Sequence, residues 1–357
     1  MLIFLGLVLF VLLVVVHEFG HMIMAKKSGV EVEEFGIGFP PRAKLLTKKD
    51  GTEYTLNWLP LGGFVKLKGE YDSATGKGTF GAASFWNKTK IILAGVLMNW
   101  LAAIIIFTII ALIGMPQLIE NQFQIKNDSR VSKQEVLAGF VEEGSPADSI
   151  GLTQGDRIVQ INDHQILNSS DLRSTTKKFA GESVDVRFVQ GGQEISKSVT
   201  LRNDETKGNF GVAPADNTLV RSTWSAPIVG VGTTVQFTAE TFKGLFNAVA
   251  NIFQGNASKA GEAVTGPVGI IVVLKDLSNQ GLVFVLFLIG VISVSLAVMN
   301  TLPIPALDGG RLFVMAIFKL LKKPLTKDLE EKIHGTGMAA LLILAALITV
   351  LDVKRFF

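Results

Sequence analysis

The stretch MLIFLGLVLFVLLVVVHEFGHMIMAKK, residues 1–27, decides how this chain is read. Its first sixteen residues are apolar without interruption, and continued through Ala25 they make a helix long enough to cross a bilayer. Near the end of that run comes His17-Glu18-Phe19-Gly20-His21. Residues four apart lie one above the other on a helix, so the two imidazoles face one point. Neutral imidazole is a good zinc ligand, and a carboxylate beside it can deprotonate a metal-bound water. Such spacing also arises by chance, and two histidines can simply line a polar bundle interior. Here the chain has only four histidines, and two of them sit inside an apolar run where ionisable groups are costly. Zinc hydrolysis chemistry inside a membrane span is the expectation.

Composition agrees with a membrane chain. The 357 residues are 48% hydrophobic and 18% charged, too apolar for an ordinary soluble protein. Four spans are expected: Met1 to about Ala25, Ile91–Met115, about Leu282–Leu302, and the shorter Gly335–Leu351. The first lacks the basic start and small-residue cleavage site of a signal peptide, so it reads as a retained helix. A net charge of +3 gives no support to nucleic-acid binding. The absence of cysteine excludes disulfides and thiolate ligands, leaving His and carboxylate to hold a metal.

Basic residues suggest an orientation. Residues 26–90 carry 11 Lys and Arg, whereas the 166 residues from Pro116 to Gly281 carry 15, and Arg311–Lys332 holds another six. Short basic connections favour the cytoplasm. The first and third connections are therefore expected inside and the long middle segment outside, with the histidine pair near the cytoplasmic face. Lys26 and Lys27 mark that end of the first span.

Between the spans the pattern changes. Residues 30–70 read as β-hairpins, with Glu53–Trp58 and Phe64–Lys68 as alternating stretches and Lys49-Asp50-Gly51 and Gly62-Gly63 as turns. Non-helical backbone so close to the bilayer must be buried in protein or line a cavity. Residues 128–205 read as a soluble α+β domain. Its expected elements are strands at Val136–Val141 and Arg157–Ile161, a helix at Ser170–Phe179, and a hairpin of Ser183–Val189 with Glu194–Leu201 around Gly191-Gly192. Within Trp224–Phe253, apolar residues recur at helical spacing, which reads as an amphipathic helix on the outer membrane surface.

A catalytic zinc site takes three protein ligands plus water. Span three arrives at the cytoplasmic side with Asn300-Thr301-Leu302-Pro303-Ile304-Pro305-Ala306-Leu307-Asp308-Gly309-Gly310. The prolines break the helix and the glycines permit close approach, so Asp308 is one candidate. His334, just before span four, is the other. His164 lies in the outside domain.

Several of these stretches carry a resemblance. GSPADSIGLTQGDRIVQIND is similar to the signature of bacterial, circularly permuted PDZ domains, which take an extended peptide by strand addition. The groove is expected between Val136–Val141 and Ser170–Phe179. HEFGH at 17–21, FGIGFPPR at 35–42, GTEYTLNWLPLGGFVKL at 51–67, FWNKTKIILAGVLMN at 85–99, TGPVGI at 265–270 and NTLPIPALDGGRL at 300–312 together resemble the site-2 protease family of intramembrane zinc metalloproteases. The likeness is to the bacterial type that cleaves anti-sigma factors and remnant signal peptides. It implies zinc held by His17, His21 and Asp308, with Glu18 as the acid/base. It also implies a membrane-reentrant β-loop at 33–66, with Asn300, Gly36, Gly38, Gly62 and Gly63 at the substrate. Implied partners are previously trimmed single-pass membrane proteins, and the implied location is the bacterial inner membrane. Room for one PDZ domain rather than two sets this chain apart from the Gram-negative type.

The expected fold is thus a membrane α-helical bundle of four transmembrane helices, with a membrane-associated β-hairpin region and one inserted extracytoplasmic PDZ-like α+β domain. Its segments are span one at 1–25, the β-loop region at 26–90, span two at 91–115 and the PDZ domain at 128–205. An amphipathic segment at 222–280, span three at 281–320 and span four at 335–352 follow. A non-catalytic PDZ membrane adaptor is the alternative, but it has no use for Glu18. A zinc transporter wants His or carboxylates in several spans, and spans two and four contain none.

Overall fold

A computed structural model describes residues 1–119, 121–203, 208–255 and 266–356. In chain order come α1 (Leu2–Lys27), β1 (Val32–Lys49), β2 (Thr52–Leu67), α2 (Phe85–Ile113), β3 (Met115–Pro116), β4 (Arg130–Val141) and α3 (Pro146–Ser149). There follow β5 (Arg157–Ile161), β6 (His164–Gln165), α4 (Ser169–Lys178), β7 (Ser183–Gln190), β8 (Gln193–Thr200) and β9 (Val212–Arg221). Then come α5 (Ala226–Phe253), α6 (Pro267–Gln280), α7 (Leu282–Met299), α8 (Asp308–Leu320) and α9 (Lys327–Phe356). They form two compact units, Met1–Ile109 with Gly230–Phe357, and Ile110–Val229.

In the helical unit, α1, α2, α7 and α9 are long and apolar enough to cross a membrane. Several boundaries differ from the sequence reading: the first helix runs on to Lys27, and the helix of span two begins at Phe85 rather than Ile91. Span three is not one helix over 281–320: α7 stops at Met299, and α8 restarts at Asp308 after the segment containing Pro303 and Pro305. Proline lacks the N–H a continuing helix needs. Span four belongs to a longer helix that begins at Lys327. Near its end, buried Asp352 accepts the Gly269 N–H at 2.8 Å and so caps the start of α6.

The β-loop is more folded than a row of hairpins. Asp50 and Gly51 close the turn with positive φ (49° and 78°), as a two-residue hairpin turn requires. Gly62-Gly63 closes no tight turn; it lies inside β2, where Gly62 (φ 108°) takes the chain across the end of β1. Consequently Phe35 has two partners, Val65 and Tyr54, and Gly36 has Phe64 and Thr55. Residues 63–67 pair with 32–37 on one side, and 52–56 pair on the other. The assembly is seated on a core of Met22, Ala25, Phe35, Phe80, Ile91 and Met315, which ties α1, β1, α2 and α8 together. That core fixes where α1 ends relative to α8, and so where the histidines stand.

The amphipathic α5 packs on the bundle rather than only resting on a surface. Phe237 is buried, 5.8 Å from Phe107 of α2 and 5.5 Å from Phe287 of α7 between ring centroids. Gly230 brings the α5 backbone against α2, where a Cβ would stand 2.8 Å from the Ile104 carbonyl oxygen. Residues 256–265, including Thr265 of the expected TGPVGI motif, lie outside the described residues.

The second unit is a seven-stranded sheet in the order β3-β9-β4-β5-β7-β8, with β6 paired to β5. Alternating inward residues (Val136, Ala138, Ile158, Val184, Val186, Phe188) fill its core with Leu172 of α4. Asn168 and Asp171 cap α4 reciprocally. β9 contains Pro214 and Asp216-Asn217, residues typical of a loop, yet it pairs along most of β4. This corrects the expected groove. The flank of Val136–Val141 facing the helix is taken by Val212–Asp216, and Asp216 accepts from Ser169 N–H at 2.7 Å. The open groove, about 420 Å³, lies instead between α4 (Leu172, Thr176) and Phe210–Pro214.

Candidate metal centre

α1 carries His17 and His21 against α2, and two glycines make that approach possible. A Cβ on Gly20 would stand 2.5 Å from the Ala94 carbonyl oxygen. A Cβ on Gly95 would stand 2.7 Å from Cε1 of both histidines and closer still to His21 Nε2. Real side chains do not fit at such separations. Both imidazoles are buried and meet nearly edge to face, 4.7 Å between centroids at 84°.

The third element is the break between α7 and α8. Asn300 ends α7, and its carbonyl accepts the Gly309 N–H at 2.8 Å. A Cβ on Gly309 would meet the Leu302 oxygen at 2.6 Å, and one on Gly310 would meet Pro305 N at 2.8 Å. The loop is therefore folded tightly onto the first turn of α8. That fold presents the Asp308 carboxylate to the histidines: Oδ2 is 3.0 Å from His17 Nε2 and 3.2 Å from His21 Nε2, which are 3.1 Å apart.

Three lone-pair atoms so close repel one another unless something positive lies among them. A tetrahedral zinc ion with bonds of 2.0–2.1 Å needs its donors about 3.3 Å apart, close to the separations found. The outer nitrogens point the same way. His21 Nδ1 is 2.8 Å from the Ile91 carbonyl oxygen and must donate to it, which leaves the Nε2 lone pair for a metal. His17 Nδ1 lies 3.3 Å from the Asn99 amide, whose Oδ1 is buried without a partner among the described residues. Turning that amide over sets Oδ1 on His17 Nδ1–H, satisfies the oxygen and frees His17 Nε2 for the metal. The residues present fit zinc.

Glu18 borders the cluster. Its stem is 3.8 Å from where a Gly63 Cβ would lie. Gly63 is also packed on the Gly36 carbonyl (2.9 Å to a Cβ) and Gly62 on Val14 (3.2 Å). Gly38 sits on the Leu59 carbonyl at φ 81°. Gly62 and Gly63 thus bring the folded sheet against α1 beside Glu18, while Asn300 stands at the end of α7.

Among the described residues, His17, His21 and Asp308 form the group whose ligand atoms converge within 4.8 Å. His334 is not part of it: its Nδ1 accepts the Ala306 N–H at 3.1 Å. His164 belongs to the sheet unit, 3.1 Å from Lys178 Nζ. Sequence reasoning passed over Asn99, Gly95 and the Ile91 carbonyl. The available signal was one amide four residues after a glycine in an apolar span.

Comparison with known proteins agrees with this chemistry. The pattern of peptidase family M50 matches residues 5–344. A Clostridium perfringens relative is 32% identical over 350 residues, covering 98% of this chain and 97% of that protein. A zinc metalloprotease RasP of Geobacillus kaustophilus is 27% identical over 432 residues, covering 98% of this chain and 97% of its own. The RasP of Shouchella clausii is 25% identical over 438 residues, covering 98% of each. A helix pair bringing two imidazoles to an aspartate, set in a chain with four membrane-length apolar helices, thus has its explanation: the chain belongs to peptidase family M50 and is a zinc metalloprotease.

Proposed function

We propose that the protein is an intramembrane endopeptidase that hydrolyses peptide bonds within transmembrane segments of single-pass membrane proteins. Its substrates are previously trimmed anti-sigma factors or remnant signal peptides. The observation that carries this reading is the position of Glu18. It stands on a membrane-length helix beside His17 and His21, with its stem against Gly63 of the folded sheet. Residues 63–67 pair with 32–37 on one edge only and have no strand on the other among the described residues.

A transmembrane substrate hides its amides in its own helix and must unwind before attack. An unwound segment added to the edge at Gly63–Leu67 has its backbone groups satisfied there. That places its peptide bonds beside Glu18. His17, His21 and Asp308 would hold the zinc, which would supply Lewis acidity and acidify a water. Glu18 takes the water's proton and returns it to the departing amine nitrogen. Asn99 and the Ile91 carbonyl hold the two imidazoles in the orientation this requires.

The charge distribution along the sequence supports a metal centre near the cytoplasmic face and a sheet domain outside, in the inner membrane of a bacterium. The inserted PDZ-like domain restricts access by substrates with bulky outer parts. The direct test compares membrane proteomes of cells expressing wild type and Glu18→Gln. Single-pass fragments cut within their spans accumulate only with wild type; identical fragment patterns overturn the proposal.

A further inference from the structure

His334 is the one candidate ligand from the sequence that the cluster leaves out, and it has a different contact. Its Nδ1 accepts the backbone N–H of Ala306, two residues before Asp308. Ala306 holds φ at 81°, a conformation L-residues avoid unless their surroundings impose it. The loop's other backbone bonds are local: Thr301 and Leu302 N–H to Val298 and Met299, Leu307 N–H to Ile304, Gly309 N–H to Asn300 and Arg311 N–H to Leu307. One turn along α9, Gly337 receives the neighbouring residue: a Cβ there would meet Pro305 Cβ at 2.5 Å. His334 and Gly337, three apart, share one helix face, so α9 offers a seat for Pro305-Ala306. His334 Nε2 is enclosed with no protein partner among the described residues. The Ala306 bond is therefore what orients the ring. Beside it lies a cavity of about 440 Å³ lined by Asp308, Arg311, Tyr71 and Glu330.

We infer that His334 is a positioning residue for the metal centre. By fixing the Ala306 amide it sets the loop that delivers Asp308, so the C-terminal helix governs zinc affinity without donating a ligand. The inference rests on Asp308 being the third ligand. Partners one shell out from a metal typically change its affinity 10–100-fold when removed, and this is the effect expected here.

The test titrates zinc against a chelating dye, using the full chain in detergent after metal removal. Asp308→Ala binds far more weakly than wild type. His334→Ala loses about 10–100-fold. His334→Asn, whose Oδ1 stands where Nδ1 stood, returns close to wild type, whereas His334→Gln, with its acceptor one bond further out, stays weak. Zinc-free thermal unfolding of each variant checks that the fold is intact. If His334→Ala fails to fold, the Asn and Gln pair carries the comparison. Undiminished affinity in Asp308→Ala overturns the ligand assignment and this inference with it. Weakened Asp308→Ala with unchanged His334→Ala or His334→Gln overturns the inference alone, as does an Asn variant as weak as Gln.

Discussion

Adding one methyl group at Gly95 should dismantle the metal centre while sparing the helix that carries it. A Cβ built there stands 2.7 Å from Cε1 of both His17 and His21. Ordinary carbon contacts begin near 3.4 Å, so each ring must retreat by about 0.7 Å, whereas zinc bonds tolerate about 0.2 Å. The rings cannot retreat freely. His21 Nδ1 is held by Ile91 and His17 by Asn99, both on α2 within one turn of the new methyl. Either the rings leave those partners or the helices part at Gly20. We expect Gly95→Ala to bind zinc at least 10–100-fold more weakly, about 1.4–2.7 kcal/mol, and to lose cleavage in proportion. Competition with a chelating dye reads the first and a transmembrane reporter substrate the second. Gly244→Ala is the control. It lies within α5 with nothing within 4 Å of its Cβ, and the same change should stabilise that helix by about 0.5–1 kcal/mol. Wild-type zinc affinity in Gly95→Ala would refute the packing argument.

Other expectations follow from the same geometry. Glu18→Gln should abolish peptide-bond cleavage with zinc content nearly intact, because the amide cannot carry the proton; appreciable turnover on a transmembrane substrate would sink that role. Asn99→Ala should weaken zinc binding about tenfold or more by releasing His17, measured by the same dye competition. In the sheet unit, the hydroxyls and amides of Ser225 and Thr223 donate to Asp128 and hold its carboxyl well below the usual carboxylate range. A depressed folded value stabilises above the unfolded one and is lost on acidification, so unfolding followed from pH 5 downward should show stability falling below about pH 4. Asp128→Asn should flatten that dependence, and an unchanged slope would exclude it as the cause. Ser222 N–H reaches the Ala111 carbonyl at 2.8 Å, so excising Met115–Arg221 with a short linker removes the whole sheet without stranding β9. The product should keep zinc, cut a pre-trimmed substrate and also accept an untrimmed one. A folded, zinc-loaded product that cuts neither would make peptide capture in the groove beside Phe210–Pro214 the better account.

The local pattern carried the spans, the HEFGH helix, the Asp50-Gly51 turn and the strands from Arg157 to Thr200. Each depends on residues within one turn or one hairpin, where composition and periodicity act directly. It also brought the third ligand down to two, Asp308 or His334. The family resemblance pointed to Asp308, and the tertiary structure shows how it arrives: His17 and Asp308 are 291 residues apart, and the loop's close folding on α8 brings that side chain in. The same holds for Asn99, whose importance is invisible until α2 lies on α1. It holds for β9, whose Pro214 and Asp216 look like a loop until β4 supplies hydrogen-bond partners. The β-loop is the fullest case: alternation marked its strands, but only pairing across its whole length set Gly63 beside Glu18. Sequence thus determined which groups are present and which local elements carry them. Long-range packing decided which atoms meet, because a contact between distant segments depends on all the backbone between them folding at once.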